Sequence, residues 1–81
     1  MQRLTKVGKK VVGLKQSQKA IKNGLAKLVY LAGDAEDRIR HPILEICKSC
    51  QVPIVEVDFM IELGRASGIQ VGTAVVAIVE E

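Results

Sequence analysis

Aromatic side chains are almost missing from this chain: tryptophan is absent, and Tyr30 and Phe59 stand alone among 81 residues. Proteins that read single strands by stacking bases need several exposed rings, so that mode is excluded. Cysteine is as scarce, with only Cys47 and Cys50. Two cysteines in a chain without an export signal point to a reducing compartment rather than a disulfide scaffold. The segment Met1 to Lys10 is basic but has no apolar signal core, so a cytoplasmic location is expected. No apolar run approaches the roughly 20 residues that a helical membrane span needs, and no membrane partner is expected. No linker, low-complexity tract or internal repeat interrupts residues 1–81, which fit a single domain. Domains of this size bury only about 60–65% of their unfolded surface. The 48% apolar content, chiefly Val, Ile, Leu and Ala, compensates.

Acid is also missing, but only from one part of the chain. Residues 1–33 hold Arg3, Lys6, Lys9, Lys10, Lys15, Lys19, Lys22 and Lys27 with no Asp or Glu, a charge of +8. Residues 34–81 hold nine acids against Arg38, Arg40, Lys48 and Arg65, a charge of −5. Such polarity in a small domain suggests a basic face for a polyanion. The plain alternative is a solvated lysine face that aids solubility.

The elements alternate along the chain. Residues 2–8 suit a short helix, and Val11 and Val12 a brief strand. Residues 15–23 suit a helix, with Leu14, Ser17, Ala20, Ile21 and Leu25 on its sheet side. Leu28 to Ala32 is an apolar run of strand length, and residues 33–37 form a turn and helix entry. Residues 36–50 place Ile39, Ile43, Ile46, Cys47 and Cys50 on one stripe of a helix that Pro42 is expected to break or restart. Pro53 to Val57 reads as a strand. Asp58 is the expected N-cap of a helix from Phe59 to Ala66 that ends at Gly68, and Ala74 to Val79 reads as a last strand. Strands that are apolar throughout belong to a sheet covered on both faces. The fold class is therefore α/β: a three-layer α/β/α sandwich with about four strands, mixed or mostly parallel.

The helix after Gly13 begins unusually. A helix N-terminus is the positive end of the macrodipole and normally attracts Asp or Glu. Here the first turns carry Lys15, Gln16 and Lys19, and Lys22 falls on the same face, with Gln16 and Asn23 at its edge. Backbone N–H groups of Gly13, Leu14 and Lys15 are expected to point outward. Cations added to a positive helix end repel one another, and a docked phosphate relieves that repulsion. Gln16 adds an amide suited to base edges. The alternative is a surface helix built of good helix formers.

Several other motifs lead nowhere. Cys47-Lys-Ser-Cys50 closes a helix, whereas a redox C-x-x-C opens one after a strand, and no second Cys or His pair completes a zinc site. The two thiols read as a core residue and a core-edge residue. His41 has no convergent partner, and Asp34, Glu36 and Asp37 read as turn and helix-start residues rather than a metal site. No catalytic constellation, cofactor site or small-molecule substrate is expected, and the chain is read as not an enzyme.

Three strings, VGLKQSQKAIKNGLAKLVYLAGDAE, ICKSCQVPIVEV and LGRASGIQVGTAVVAIVE, resemble the ribosomal protein superfamily of the large-subunit seven-Ae and thirty-e kind, especially its short bacterial members. The resemblance runs from about residue 11 to the end. It implies an α/β/α sandwich that binds kink-turn RNA, a sharply bent internal loop with sheared G·A pairs beside a bulge. The family pattern Gly-x-Asn-Glu-x-x-Lys is filled here by Gly13, Lys15, Gln16 and Lys19, so Gly13 and Lys19 match and Lys15 and Gln16 replace the Asn-Glu pair. The resemblance thus places Gly13, Leu14, Lys15, Gln16, Lys19 and Lys22 on RNA. It also implies that the loop of Ile69, Gln70, Val71, Gly72 and Thr73 packs on the extruded bulge nucleotide, with Glu36 and Ile39 lining its pocket. Gly72 stands where many members have Pro, which implies a looser loop. Met60 stands where some have Lys, so a charge contact is lost.

The function expected is recognition and stabilisation of structured RNA of the kink-turn type, ribosomal or riboswitch-like, by a ribosome-associated monomer. The alternatives are a protein-interaction module docking through Ile69 and Val71, a general polyanion binder, and a thiol redox protein built on Cys47 and Cys50.

Overall fold

The computed structural model describes residues 9–69 and 71–80. The chain forms β1 (Lys9–Val12), α1 (Leu14–Lys22), β2 (Leu28–Ala32), α2 (Asp37–Cys50), β3 (Ile54–Val57), α3 (Met60–Ala66) and β4 (Val75–Glu80). The expected helix over residues 2–8 lies outside the described residues.

The four strands lie in the order β1-β4-β2-β3. β4 runs antiparallel to both β1 and β2, while β2 and β3 are parallel, so the sheet is mixed. All five residues of β2 are buried, because alternate side chains enter two separate cores. Leu28, Tyr30 and Ala32 join Val76, Ile78 and Val57 beneath Leu63 of α3. Val29 and Leu31 join Val75 and Ala77 beneath Ala20 and Ile21 of α1 and Ile43 and Cys47 of α2. Among the described residues one helix covers one face and two cover the other, which is the three-layer sandwich expected from the continuous apolar strands.

Local readings are corrected in four places. α2 runs through Pro42 without a break. Proline forfeits one helical hydrogen bond and crowds the preceding turn, but Ile43 and Cys47 just beyond it are buried at 0% and 1% exposure and anchor the helix to the sheet. Leu25 does not face the sheet: α1 ends at Lys22, Gly24 takes φ 74°, and Leu25 is 57% exposed. The Leu25 and Gly24 N–H groups donate to Ala20 and Ile21 carbonyls at 2.9 and 3.1 Å, a Schellman closure that uses the last carbonyls of the helix. Cys50, at the far end of α2, is exposed rather than at the core edge. Asp58 does not cap α3, whose N-cap is Phe59 with no capping side chain.

The end of α3 follows expectation. Gly68 takes φ 85°, and the Gly68 and Ile69 N–H groups donate to Arg65 and Gly64 carbonyls at 3.1 and 3.0 Å. The left-handed residue turns the chain out of the helix and into the loop over residues 69–74.

Candidate nucleic-acid interface

The sheet topology brings the start of α1, the β2–α2 turn and the α3–β4 loop to one end of the sheet. Two hydrogen bonds converge on the Val75 carbonyl: the Gly13 N–H at 3.1 Å and the Thr73 hydroxyl at 3.2 Å. The Ala32 N–H donates to the Ala74 carbonyl at 2.8 Å and ties the β2–α2 turn to the same loop.

Gly13 enters α1 at φ 108° and ψ 160°, a conformation open to glycine and strained for other residues. Its N–H is already taken by Val75, which corrects the expectation that it points outward unpaired. Gly13 offers no capping side chain, and the first turn holds no acid. A side-chain carbon at Gly13 would meet the Gln16 Oε1 at 3.1 Å, so the Gln16 amide lies over the helix entry.

Ser17, Ala20 and Ile21 bury the inner side of α1, and the Ser17 hydroxyl reaches the Val11 carbonyl at 3.4 Å. That seating leaves Lys15, Gln16, Lys19 and Lys22 exposed on the outer side, while Leu14 is half-buried. Lys15 and Lys19 are one turn apart, whereas Lys22, the last residue of α1, lies about 10 Å along the axis from Lys15 at 1.5 Å per residue and belongs to the far end of the helix. Gln16, Lys19 and Asn23 also line an open groove of about 300 Å³ together with the apolar Val11, Ala20, Leu25 and Val79.

Val71 is 68% exposed, Ile69 is half-buried, and Thr73 is buried at 8% exposure. Gln70 lies outside the described residues. Gly72, expected to loosen the loop, instead packs tightly on α3. A side chain there would lie 3.1 Å from Met60 Cβ, and the next residue's N–H donates to the Met60 carbonyl at 3.1 Å. Glu36 is exposed at the N-cap of α2 and pairs with Arg38 at 2.7 Å, and Ile39 is half-buried one turn into α2.

Two contributors escape a reading of the sequence. Gly64 lies inside α3, where any Cβ would run into the Val71 carbonyl oxygen and sit 3.2 Å from Gly72 Cα. A glycine inside a helical run is itself a sign of close approach. The second is Asp34, whose Oδ1 accepts the Met60 N–H at 2.8 Å across 26 residues. No local pattern encodes that bond.

Cys47 lacks the lowered thiol pKa of a reactive cysteine. Burial, and then the neighbouring Cys50 charge, push the Cys47 thiol from 9.0 up to about 11, whereas a reactive cysteine is shifted down. Among the described residues no three His, Cys, Asp or Glu side chains gather into a metal-binding group, and no helix is long and apolar enough to cross a membrane.

The model of the Ribosomal protein L7Ae/L30e/S12e/Gadd45 family matches residues 1–81. The chain belongs to this family. Among L7Ae-type relatives, it is 44% identical over 78 residues to an RNA-binding protein of Geobacillus sp. strain WCH70, covering 96% of this chain and 95% of the relative. It is 40% identical over 77 residues to the RNA-binding protein YbxF of Geobacillus stearothermophilus, covering 95% and 94%. Of solved structures, the Giardia lamblia 15.5 kD RNA-binding protein superposes with a TM-score of 0.83 at 30% identity, over 89% of this chain and 61% of that one. A Bacillus halodurans protein of unknown function superposes at 0.81 with 32% identity, over 88% and 71%. The L7Ae-type fold is thus shared across most of the chain.

Proposed function

We propose that this protein binds RNA, and that its target is a kink-turn-type structure, in ribosomal RNA or a riboswitch-like element, with a ribosome-associated role. The observation that carries the reading is the convergence at one end of the sheet of an acid-free, lysine-bearing helix start and a loop that holds an apolar side chain out in solvent. Lys15 and Lys19 meet phosphates, and Gln16 meets a guanine edge. Val71 and Ile69 cover the extruded nucleotide, with Glu36 and Ile39 at its margin. The names of the relatives support the coarser part of this reading.

The mechanism is a population shift. A bent RNA in equilibrium with its open form is drawn toward the bent form by a protein that binds that form better. The test is a titration at fixed salt of two hairpins, one with a standard kink-turn and one with its G·A pairs replaced by Watson–Crick pairs. A strong preference for the first is expected. Equal binding would leave a general polyanion binder.

The second reading, a protein-docking module, draws on exposed apolar groups: Val71 together with Phe59 at 53% and Ile61 at 43% exposure. Salt separates the two. RNA affinity falls linearly in log–log form as phosphate counterions are released, and apolar docking is far less sensitive.

A further inference from the structure

We infer that Asp34 is a positioning residue for the bulge-nucleotide pocket, acting through the peptide groups of Met60. This rests on the kink-turn reading above and deepens it.

A carboxylate is a poor neighbour for RNA. Asp34 is exposed in the β2–α2 turn, beside Glu36 and Asp37, at the end of the sheet where the lysine-bearing helix begins. In a polyanion binder each of these acids repels the ligand, so its presence there calls for a compensating role. The Asp34 Oδ1 accepts the Met60 N–H at 2.8 Å. α3 has no capping side chain of its own, so this distant carboxylate supplies one of its first-turn acceptors.

The same residue carries a second link. The Met60 carbonyl accepts the Thr73 N–H at 3.1 Å, and a side-chain carbon at Gly72 would press on the Met60 Cβ. Met60 therefore sits between two segments. Its N–H is held by the turn that leads to Glu36, and its carbonyl holds the loop that carries Val71. These two segments form the two walls of the proposed pocket. The floor between them is fixed independently, because Ala35 packs in the same core cluster as Leu63 of α3. What Asp34 adds is the register of the turn against the loop. Because the bond is solvent-exposed, it adds little to the stability of the whole domain.

The experiment compares Asp34→Ala and Asp34→Asn with the wild type on two kink-turn hairpins that differ only in the bulge, one with its nucleobase and one abasic there. Melting temperatures are measured alongside. The wild type is expected to bind the intact bulge at least tenfold more tightly than the abasic one. Asp34→Ala is expected to collapse that ratio toward one while keeping the abasic affinity within about threefold. Asp34→Asn retains an acceptor for the Met60 N–H, so it keeps the ratio and binds both RNAs as well as the wild type or better, since one repelling charge is gone. A residue that merely capped α3 would weaken both RNAs equally and leave the ratio intact, and that outcome overturns the proposal. So does a ratio lost equally in both variants. If the wild type itself ignores the bulge nucleobase, the pocket reading fails, and the Asp34 role fails with it. If the wild type discriminates and Asp34→Ala does too, only the role of Asp34 fails.

Discussion

Gln16 and Lys19 lie one turn apart on the exposed side of α1 and are expected to fail differently when removed. Lys19→Ala should weaken kink-turn and control RNAs alike and reduce the slope of log affinity against log salt by about one. Gln16→Ala should cost about 1–3 kcal/mol on the kink-turn alone and blur its preference over the paired control. Parallel titrations at several salt concentrations separate the two. These side chains were legible in the sequence because helical spacing alone decides which face Ile21 and Ser17 bury, and so which face the lysines leave free. Leu25 was misread because helical spacing continues on paper past Gly24, where the backbone does not. Asp34 was not legible as a contributor to the site, since its hydrogen-bond partner is supplied by tertiary folding. Cys47 gives a prediction at the same scale. Between pH 9.0 and about 11 its thiol ionises in the unfolded chain but stays protonated in the folded one, so stability should decline as pH rises through that window. Denaturant melts at the two ends of the window should show a smaller decline in Cys47→Ala, though that variant starts less stable.

At the scale of elements, α3 and the loop after it behave as one unit. Gly64 lets the Val71 backbone lie directly on the helix, and the Schellman closure at Gly68 sets the angle at which the chain leaves. Gly64→Ala should therefore push the loop outward and destabilise the domain by about 1–3 kcal/mol, the usual range for overpacking. Thermal melts should register the loss, and kink-turn affinity should fall further than affinity for the paired control. The existence and order of the elements over residues 9–80 were readable from periodicity and punctuation. Cap chemistry was less so. Asp58 looked like the N-cap of α3 because acids before helices usually are, yet the helix begins at Met60, one residue beyond Phe59. Pro42 looked like a breaker because local propensity disfavours it, but burial of Ile43 and Cys47 outweighs one lost hydrogen bond.

At the scale of the molecule, layered burial explains why strand count and sandwich architecture could be read from apolar runs, while strand order could not. Pairing is a long-range choice, and nothing local in β1 or β4 marks them as partners. If the assembled end of the sheet selects bent RNA, a kink-turn labelled at both helix ends should close as protein is added in buffer without divalent cations. Energy transfer between the labels should saturate with protein, and the Watson–Crick control should stay open. The strand order has one more consequence, for the timing of folding. β4 lies between β1 and β2, so two of the three strand pairings, and both hydrophobic cores, wait for residues 75–80. Only β2 and β3 can pair earlier, and long-range closure of this kind is slow. On a translating ribosome, a nascent chain short of β4 would carry its lysines without the carbonyl of Val75 that anchors Gly13 and Thr73. Selective recognition of RNA would therefore begin abruptly, when the sheet closes on its last strand.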